Sequence, residues 1–370
     1  MILLAYVLAY MDRINVSFAA IQMNADLKFS ATIYGLGSGL FFVGYAVFEV
    51  PSGLMAVRFG PRQWLARIMI TWGLLAAAMM FIHTPLQFYI MRFLLGVAEA
   101  GFFPGLFYYL AGWFPMTFRG RALGRIYFAP ALASVVVGSI SGTLLGLGGI
   151  GGLAGWQWLF LAQGLPAVFM GLVLLRFLPD SPETVAWLTN PEKAWINGEL
   201  RRDAVLIGEP ERHNILATFA NPMVVLLGVP GFLLGLAGTG LALTAPAVLA
   251  ASAGLDARHI GYLVSAGGIL GAICIVFAGW NSDRHGDRLR DASVAATVMA
   301  IGVLAMGLGS TPIVVVVGYL LFAMTFFRSA FCSHHPLPMF STFASSRSAP
   351  QRSTPSGRSG HSFRPMRSAR

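Results

Sequence analysis

Four ionisable side chains interrupt stretches of sequence that are otherwise apolar. Asp12 and Arg13 lie in the first stretch, and Arg92 and Glu99 lie in a later one. A charged side chain at the centre of a lipid bilayer costs roughly 2.5–3.5 kcal/mol on insertion scales, so such residues face a partner or a water-filled cavity. The sequence therefore predicts that these four residues form or border a functional site.

Helical spacing predicts which of these residues share a face. Arg92 and Glu99 are seven positions apart, so they return to the same face within about 20° and lie about 10.5 Å apart along the helix axis. Asp12 and Arg13 are adjacent and point about 100° apart, so they do not neutralise one another fully. Asn15 follows Asp12 at the i+3 position and shares its face.

Anion recognition coupled to a proton is the chemistry that suits this set. A guanidinium such as that of Arg13 stays charged and offers planar, bidentate hydrogen bonds to a carboxylate. An unpaired carboxylate as deep as Glu99 tends to take up a proton. Structural alternatives stay open: Asp12 and Arg13 could tie the first span to its neighbours, and Arg92 could anchor its helix near the headgroups.

A second candidate face lies on the next apolar stretch. Phe41, Tyr45 and Glu49 follow one another at helical spacing. The Tyr45 hydroxyl could reach a substrate, or the ring could simply pack. Glu49 lies close to Pro51, near the end of the stretch, and we expect it to act in gating or in anchoring a loop.

The composition is that of a protein with many membrane-spanning helices. Of its 370 residues, 56% are apolar and 11% are charged, and the mean hydropathy is +0.70. Soluble domains carry roughly 25% charged residues. The apolar runs reach the ~20 residues that a helix needs to cross a bilayer. We therefore expect an all-α polytopic membrane protein.

Ten spans are expected, in two groups separated by a polar segment. Six lie within residues 1–178, the central segment covers 179–221, and four lie within 222–327. The expected spans, with ends uncertain by several residues, are 1–23, 32–56, 63–82, 86–111, 121–146, 156–178, 222–251, 259–280, 292–309 and 312–327.

Orientation follows from the basic residues in the short connections, which concentrate on the cytoplasmic side. They follow the even-numbered spans: Arg58 and Arg62, then Arg119 and Arg121, then Arg284, Arg288 and Arg290. The sequence therefore predicts that these connections and the central segment are cytoplasmic.

The last 43 residues differ from the rest. Residues 328–370 contain seven arginines and eleven serines and no acidic residue, and they hold much of the net charge of +10. Such a composition favours disorder. It is either a native basic tail or, as the abrupt change favours, an out-of-frame translation of two further spans. Nucleic acid is not an expected partner.

A basic motif recurs at corresponding positions in the two groups of spans. GLMAVRFGPR at 53–62 and GWNSDRHGDR at 279–288 both fit G-x(4)-R-x-G-x-R. A parallel repeat of two six-helix units would place them in this way. The alternative is two unrelated basic turns.

With this repeat the chain resembles the major facilitator superfamily, and more narrowly its anion:cation symporter branch, which includes carriers for phthalate, tartrate, hexuronate, glucarate and galactonate. The narrower resemblance rests on YMDRINVSFA (10–19), FFVGYAVFEVPSGL (41–54), ARIMITWG (66–73), RFLLGVAEAGFFPG (92–105) and WFPMTFRGRALG (113–124). Val57 replaces the aspartate of the superfamily motif, whereas the second copy keeps Asp283. The family has twelve helices, and here the pattern stops after residue 327.

The resemblance implies a two-bundle fold, with six helices in the first bundle and about four of six in the second. It also implies proton-coupled symport of a small organic anion by alternating access, in a bacterial inner membrane. We expect a monomer without cofactor, metal or enzymatic activity. The alternative function is a non-transporting remnant of such a carrier.

The expected roles combine the residue chemistry with the resemblance. Substrate binding is assigned to Arg13, Asn15 and Tyr45, and proton coupling to Glu99 and Asp12. Structural or gating roles are assigned to Arg92, Glu49, Arg58, Arg62, Asp283 and Arg284.

Overall fold

In the computed structural model, every regular element among the described residues is helical. The structure describes residues 1–207, 222–285 and 288–333, except for the side chains of 207, 222–228, 230, 231, 234, 278–285, 288–292 and 327–333. The α-helices in this part are α1 (Ile2–Asp26), α2 (Ala31–Phe59), α3 (Pro61–Ala78), α4 (Pro85–Glu99), α5 (Phe102–Ala111), α6 (Met116–Ile126), α7 (Ala129–Leu145), α8 (Gly155–Phe177), α9 (Asn190–Ile207), α10 (Pro222–Ala253), α11 (Ala257–His285), α12 (Arg288–Leu308) and α13 (Pro312–Ser333).

The helices confirm the predicted all-α membrane fold class. Within the described residues, eight helical segments are long and apolar enough to cross a membrane. The shorter apolar stretches Ser293–Leu308 and Pro312–Phe326 belong to α12 and α13 and match the last two expected spans. Helix α13 continues to Ser333, past the expected end at 327, and the remainder of the expected tail lies outside the described residues.

Local sequence signals set several helix ends. Thr84 and Gln87 form a capping box at the start of α4, where the Gln87 backbone N–H donates to Thr84 Oγ1 over 3.3 Å. Between α2 and α3, Gly60 adopts a φ of +85° and Pro61 begins the next helix. A φ in this region favours glycine, and a proline fits the first turn because it needs no backbone donor there.

Two expected spans are each built from two helices. The fourth span breaks between Glu99 and Phe102, where Gly101 adopts a left-handed φ of +83°. The fifth span breaks between Ile126 and Ala129. The spans expected at 86–111 and 121–146 are therefore present, and each has a short non-helical interruption that the sequence did not predict.

We call residues 1–178 the first half of the membrane region and residues 222–327 the second half. In the first half, α3 packs on α8, α2 packs on α4, and α1 packs on both α7 and α8. In the second half, α13 packs on α11 and α12. The halves meet where α7 packs on α11 and where α1 packs on α10.

Small residues bring the halves together along α7 and α11. A Cβ atom at Gly138 would lie only 2.8 Å from the backbone nitrogen of Ser265, so these helices approach almost backbone to backbone. Ser265 donates from its Oγ to the carbonyl oxygen of Val135 over 2.9 Å. Elsewhere on the interface, the Tyr34 hydroxyl donates to the carbonyl oxygen of Leu243 over 3.0 Å.

The described part of the central segment lies against the first half. The indoles of Trp113 and Trp187 stack with ring centroids 6.1 Å apart. Asp203 on α9 accepts a hydrogen bond of 2.7 Å from the backbone N–H of Met116, the first residue of α6. Helix α9 therefore covers the turn between α5 and α6.

Candidate functional site

The first charged pair joins α1 to the end of α4. Arg13 donates from Nε to Glu99 Oε1 over 2.8 Å. The Glu99 side chain is 1% exposed, whereas the Arg13 side chain is 29% exposed. The guanidinium carbon of Arg13 also lies 5.5 Å from the ring centre of Tyr10 and 4.8 Å from that of Tyr45, within the range of cation–π attraction.

The break after α4 determines where Glu99 lies. Glu99 is the last residue of α4, and the next carbonyl oxygen, that of Ala100, accepts a hydrogen bond of 2.6 Å from Ser52 Oγ. The indole N–H of Trp64 donates to the same Ser52 oxygen over 3.0 Å. A helix C-terminus carries partial negative charge and disfavours an anion, so the Arg13 guanidinium offsets an unfavourable location for a carboxylate.

Arg92 is buried in the interior of the protein. It is 2% exposed, its guanidinium carbon lies 4.7 Å from the ring centre of Phe41, and its Nε atom has no hydrogen-bond partner. A headgroup anchor would reach the surface, whereas the Arg92 side chain is buried; its expected structural or gating role stays a prediction. A buried guanidinium with a free donor is instead suited to an anionic ligand.

Asp12 and Asn15 face away from Arg13, toward other helices. The Asn15 amide donates from Nδ2 to the carbonyl oxygen of Leu159 on α8 over 3.2 Å. Asp12 lies beside the indole of Trp72 on α3 and within electrostatic range of Arg92. Asn15 therefore helps to hold α1 against α8, and its geometry gives no support to the expected contact with substrate.

A cavity of about 110 Å³ lies between the two halves. Arg13, Arg92 and Ser134 line it from the first half, and Thr239, Tyr319 and apolar side chains line it from α10, α11 and α13 of the second. Arg13 and Arg92 are the charged residues among its described lining residues, which include no carboxylate. The cavity is thus suited to a small anion held by two guanidinium groups.

Tyr45, which was expected near the substrate, and Glu49, which was expected near the gate, both lie close to Arg13. Tyr45 lies under the Arg13 guanidinium but does not line the cavity, so it can position Arg13 and does not reach the cavity itself. Glu49 is half-buried one helical turn further along α2, within electrostatic range of Arg13. Glu49 therefore lies nearer to the charged pair than a loop anchor would.

The other expected gating residues lie at the end of the first half that carries the central segment. The Arg62 Nε atom lies 3.3 Å from Asp180 Oδ2, which ties the turn between α2 and α3 to the chain after α8. Arg58 is exposed and its guanidinium lies over the Phe59 ring. The side chains of Asp283 and Arg284 lie outside the described residues, so their expected roles stay predictions.

Three further residues of the site were not singled out from the sequence. Tyr10 contacts Arg13, and its i−3 spacing from Arg13 was an available signal. Ser134 and Tyr319 line the cavity from α7 and α13, where nothing in the local sequence distinguishes them from packing residues. Among the described residues, no group of three or more His, Cys, Asp or Glu side chains could hold a metal ion.

Comparison with known proteins gives consistent matches over most of the chain. The family model described as Major Facilitator Superfamily matches residues 2–361. A relative from Agrobacterium vitis named "Putative tartrate transporter" is 41% identical over 338 residues, which are 91% of this chain and 74% of the relative. A "Quinolone resistance transporter" from Acinetobacter baumannii is 39% identical over 329 residues, or 88% of this chain and 76% of the relative.

The solved structure of the xylose transporter XylE from E. coli, in a partially occluded inward open conformation, has a similar fold. It matches with a TM-score of 0.66 and 19% identity, over 94% of this chain and 87% of that chain. At this identity the similarity concerns the fold alone.

Proposed function

The chain belongs to the major facilitator superfamily of transporters, and from this premise we propose that it carries a small organic anion together with a proton by alternating access. The observation that carries the proposal is the cavity between the halves, whose described lining holds Arg13 and Arg92 and no carboxylate. Two guanidinium groups can engage two carboxylates, or one carboxylate and a hydroxyl, through charge-assisted hydrogen bonds. The Agrobacterium vitis relative is named as a putative tartrate transporter, and tartrate is a small dicarboxylate.

Proton coupling follows from competition for Arg13. In the structure its guanidinium is paired with Glu99. A substrate carboxylate that takes over this guanidinium leaves Glu99 buried without its counter-charge, and a bare buried carboxylate is strongly disfavoured. Glu99 then takes up a proton, so loading of substrate and proton occur together. Asp12, within electrostatic range of both Glu99 and Arg92, is the second carboxylate that senses this change.

The two halves act as the moving bodies in this scheme. Residues 1–178 and 222–327 rock about the cavity, as the interface of α7 with α11 and of α1 with α10 allows. The central segment 179–221 lies in the cytoplasm, because the basic connections carry the positive-inside signal. The carrier acts as a monomer in a bacterial inner membrane.

Uptake into proteoliposomes tests the proposal. Purified protein is reconstituted, and uptake of labelled tartrate, a sugar acid, an aromatic carboxylate, xylose and a quinolone is compared with and without an inward proton gradient. The proposal predicts gradient-driven uptake of one or more of the carboxylates and none of xylose. Uptake of the quinolone alone, or no uptake of any carboxylate, would reject organic-anion symport.

A further inference from the structure

A polar junction lies inside the first half, where α1, α3 and α8 meet. We define it by four side chains whose residues are each no more than 5% exposed. They are Asp12, Asn15, Trp72 and Gln163. None of the four lines the cavity between the halves, so the junction is separate from the substrate site.

The register of α1 against α8 brings Asp12 and Gln163 to the same level. The two helices run antiparallel, because Asn15 bonds to the carbonyl of Leu159 and Asp26 accepts from the Trp156 indole N–H nearer the start of α8. One turn back from Asn15 is Asp12, and one turn forward from Leu159 is Gln163. The two polar side chains therefore oppose each other.

Helix α3 closes the third side of the junction. The Trp72 indole faces the Asp12 carboxylate. The next residue, Gly73, packs so closely on α8 that a Cβ atom there would lie 2.7 Å from the carbonyl oxygen of Gly164, the neighbour of Gln163. Trp72 and Gln163 are thus held at the same depth by the tightest part of the α3–α8 contact.

Several polar atoms of the junction are buried and have no hydrogen-bond partner. They are the acceptors Asp12 Oδ2, Asn15 Oδ1 and Gln163 Oε1 and the donor Gln163 Nε2, whereas the Trp72 indole N–H is directed at the Asp12 carboxylate. Buried polar groups in native proteins are almost always paired with protein atoms or with ordered water. So many orphaned atoms in one place therefore indicate a ligand that the junction binds.

The mixture of donors and acceptors identifies the chemical class of that ligand. A metal cation would be repelled by the N–H donors of Gln163, and an anion by the carboxylate and the two amide oxygens. Water both donates and accepts, and a buried water is stable where two to four polar partners surround it. Water fits all four atoms.

We propose that this junction is a hydration site, in which ordered water bridges Asp12, Asn15 and Gln163 beside the Trp72 indole. The site gives the Asp12 carboxylate contact with water on the side opposite the substrate cavity. The charged groups within electrostatic range of Asp12 are Glu99, Arg92 and Arg13.

The role of this water in coupling rests on the proposed symport, whereas its presence does not. Water in the site donates a hydrogen bond to the Asp12 carboxylate and, once Asp12 has taken up a proton in the proposed symport, accepts one from the neutral carboxyl. Loss of this water would change how readily Asp12 takes up a proton. Gln163, which touches neither substrate nor cavity, is the positioning residue for this water.

Hydroxyl-radical labelling by X-ray radiolysis tests for the water directly. Radicals form from water wherever it is, so a buried side chain beside ordered water is oxidised, whereas a dry one is not. In the reconstituted wild-type protein, Trp72 should be labelled several-fold more than Trp156, which is equally buried and whose indole N–H is already bonded to Asp26. Labelling of Trp72 no greater than that of Trp156 would overturn the proposal.

A matched pair of variants tests the part played by Gln163. Gln163→Leu should reduce labelling of Trp72, whereas Gln157→Leu, the same change at the other end of α8, should leave it unchanged. If Gln163→Leu does not fold, Gln163→Met keeps the side-chain length and carries the same prediction. Unchanged Trp72 labelling in a folded Gln163 variant would contradict the assignment of this residue.

Transport measurements separate this inference from the proposed function. With Gln163→Leu, the pH profile of proton-driven uptake should shift, while exchange of labelled for unlabelled substrate at equal pH stays near wild type. Strong Trp72 labelling in a wild-type protein that carries no anion would support the hydration site and reject the symport. An unchanged pH profile despite lost labelling would reject the coupling role of the water.

Discussion

The Nε atom of Arg13 lies 2.8 Å from Oε1 of Glu99, which places the cation of α1 against the last residue of α4. The carboxylate is almost fully buried, and the guanidinium is partly exposed and lines the cavity. One guanidinium is therefore available to two anions, an internal one and a bound one.

Glu99→Gln should uncouple transport from the proton gradient. The amide cannot take up a proton, but it leaves Arg13 free for the substrate, so exchange of labelled for unlabelled anion should persist. Net uptake driven by a proton gradient should be lost. Proteoliposome assays of exchange and of net uptake give the two readings, and equal loss of both would argue against a specific coupling role.

Arg92→Gln should weaken substrate binding without unfolding the protein. Hydrogen bonds to a charged group contribute about 1.5–3 kcal/mol, which corresponds to about a 10- to 150-fold loss of affinity. Arg92→Lys should recover only part of it, since an ammonium lacks the planar fork. Arg176→Gln, which removes an exposed arginine at the end of α8, is the control and should bind as wild type. Wild-type affinity in Arg92→Gln would contradict a role in substrate binding and would support a structural role for this residue.

Ser52→Ala should destabilise the break between α4 and α5. The substitution leaves the Ala100 carbonyl and the Trp64 indole N–H without their shared partner. An unsatisfied buried polar group costs about 1–3 kcal/mol. The apparent melting temperature in detergent should fall, whereas Thr297→Ala, which removes an exposed hydroxyl bonded within its own helix, should change it little. Equal melting temperatures for the two variants would show that the break does not depend on Ser52.

Gly138→Ala should disturb the contact between the halves. The added methyl group would lie 2.8 Å from the backbone nitrogen of Ser265, so α7 and α11 must separate. Gly39→Ala is a fair comparison, because a Cβ atom there has no neighbour within 4 Å, and alanine in a helix is favoured by about 0.5–1 kcal/mol. The apparent melting temperature should fall for Gly138→Ala and should not fall for Gly39→Ala. A Gly138→Ala protein as stable as wild type would mean that this close approach is dispensable.

The positions of the helices could be predicted from the sequence, whereas their breaks could not. Long apolar runs bounded by polar turns mark each span, and α2 and α8 begin and end within a few residues of the expected positions. The interruption at Gly101 is missed by the same reasoning, because the apolar run continues past it to Ala111 and no polar turn marks the break. Its causes are the left-handed glycine and the Ser52 hydroxyl of a different helix.

The same limit applies to the site. Helical spacing separates Asp12 from Arg13 and groups Asp12 with Asn15, and the structure has this arrangement. Helical spacing does not reveal which face of a helix meets the cavity, because faces toward lipid and faces toward neighbouring helices are both apolar. An anchor near the headgroups therefore stayed open for Arg92, whose guanidinium lies over the Phe41 ring and lines the cavity.

The central claim, that Arg13 binds the carboxylate of the substrate, is tested most directly by equilibrium binding. Purified wild type and Arg13→Gln are titrated with the carboxylate that the uptake panel identifies, and affinity is measured by calorimetry, with Arg176→Gln as the control for loss of one positive charge. The account predicts binding by wild type and by Arg176→Gln and no measurable binding by folded Arg13→Gln. Binding by Arg13→Gln with wild-type affinity would contradict it.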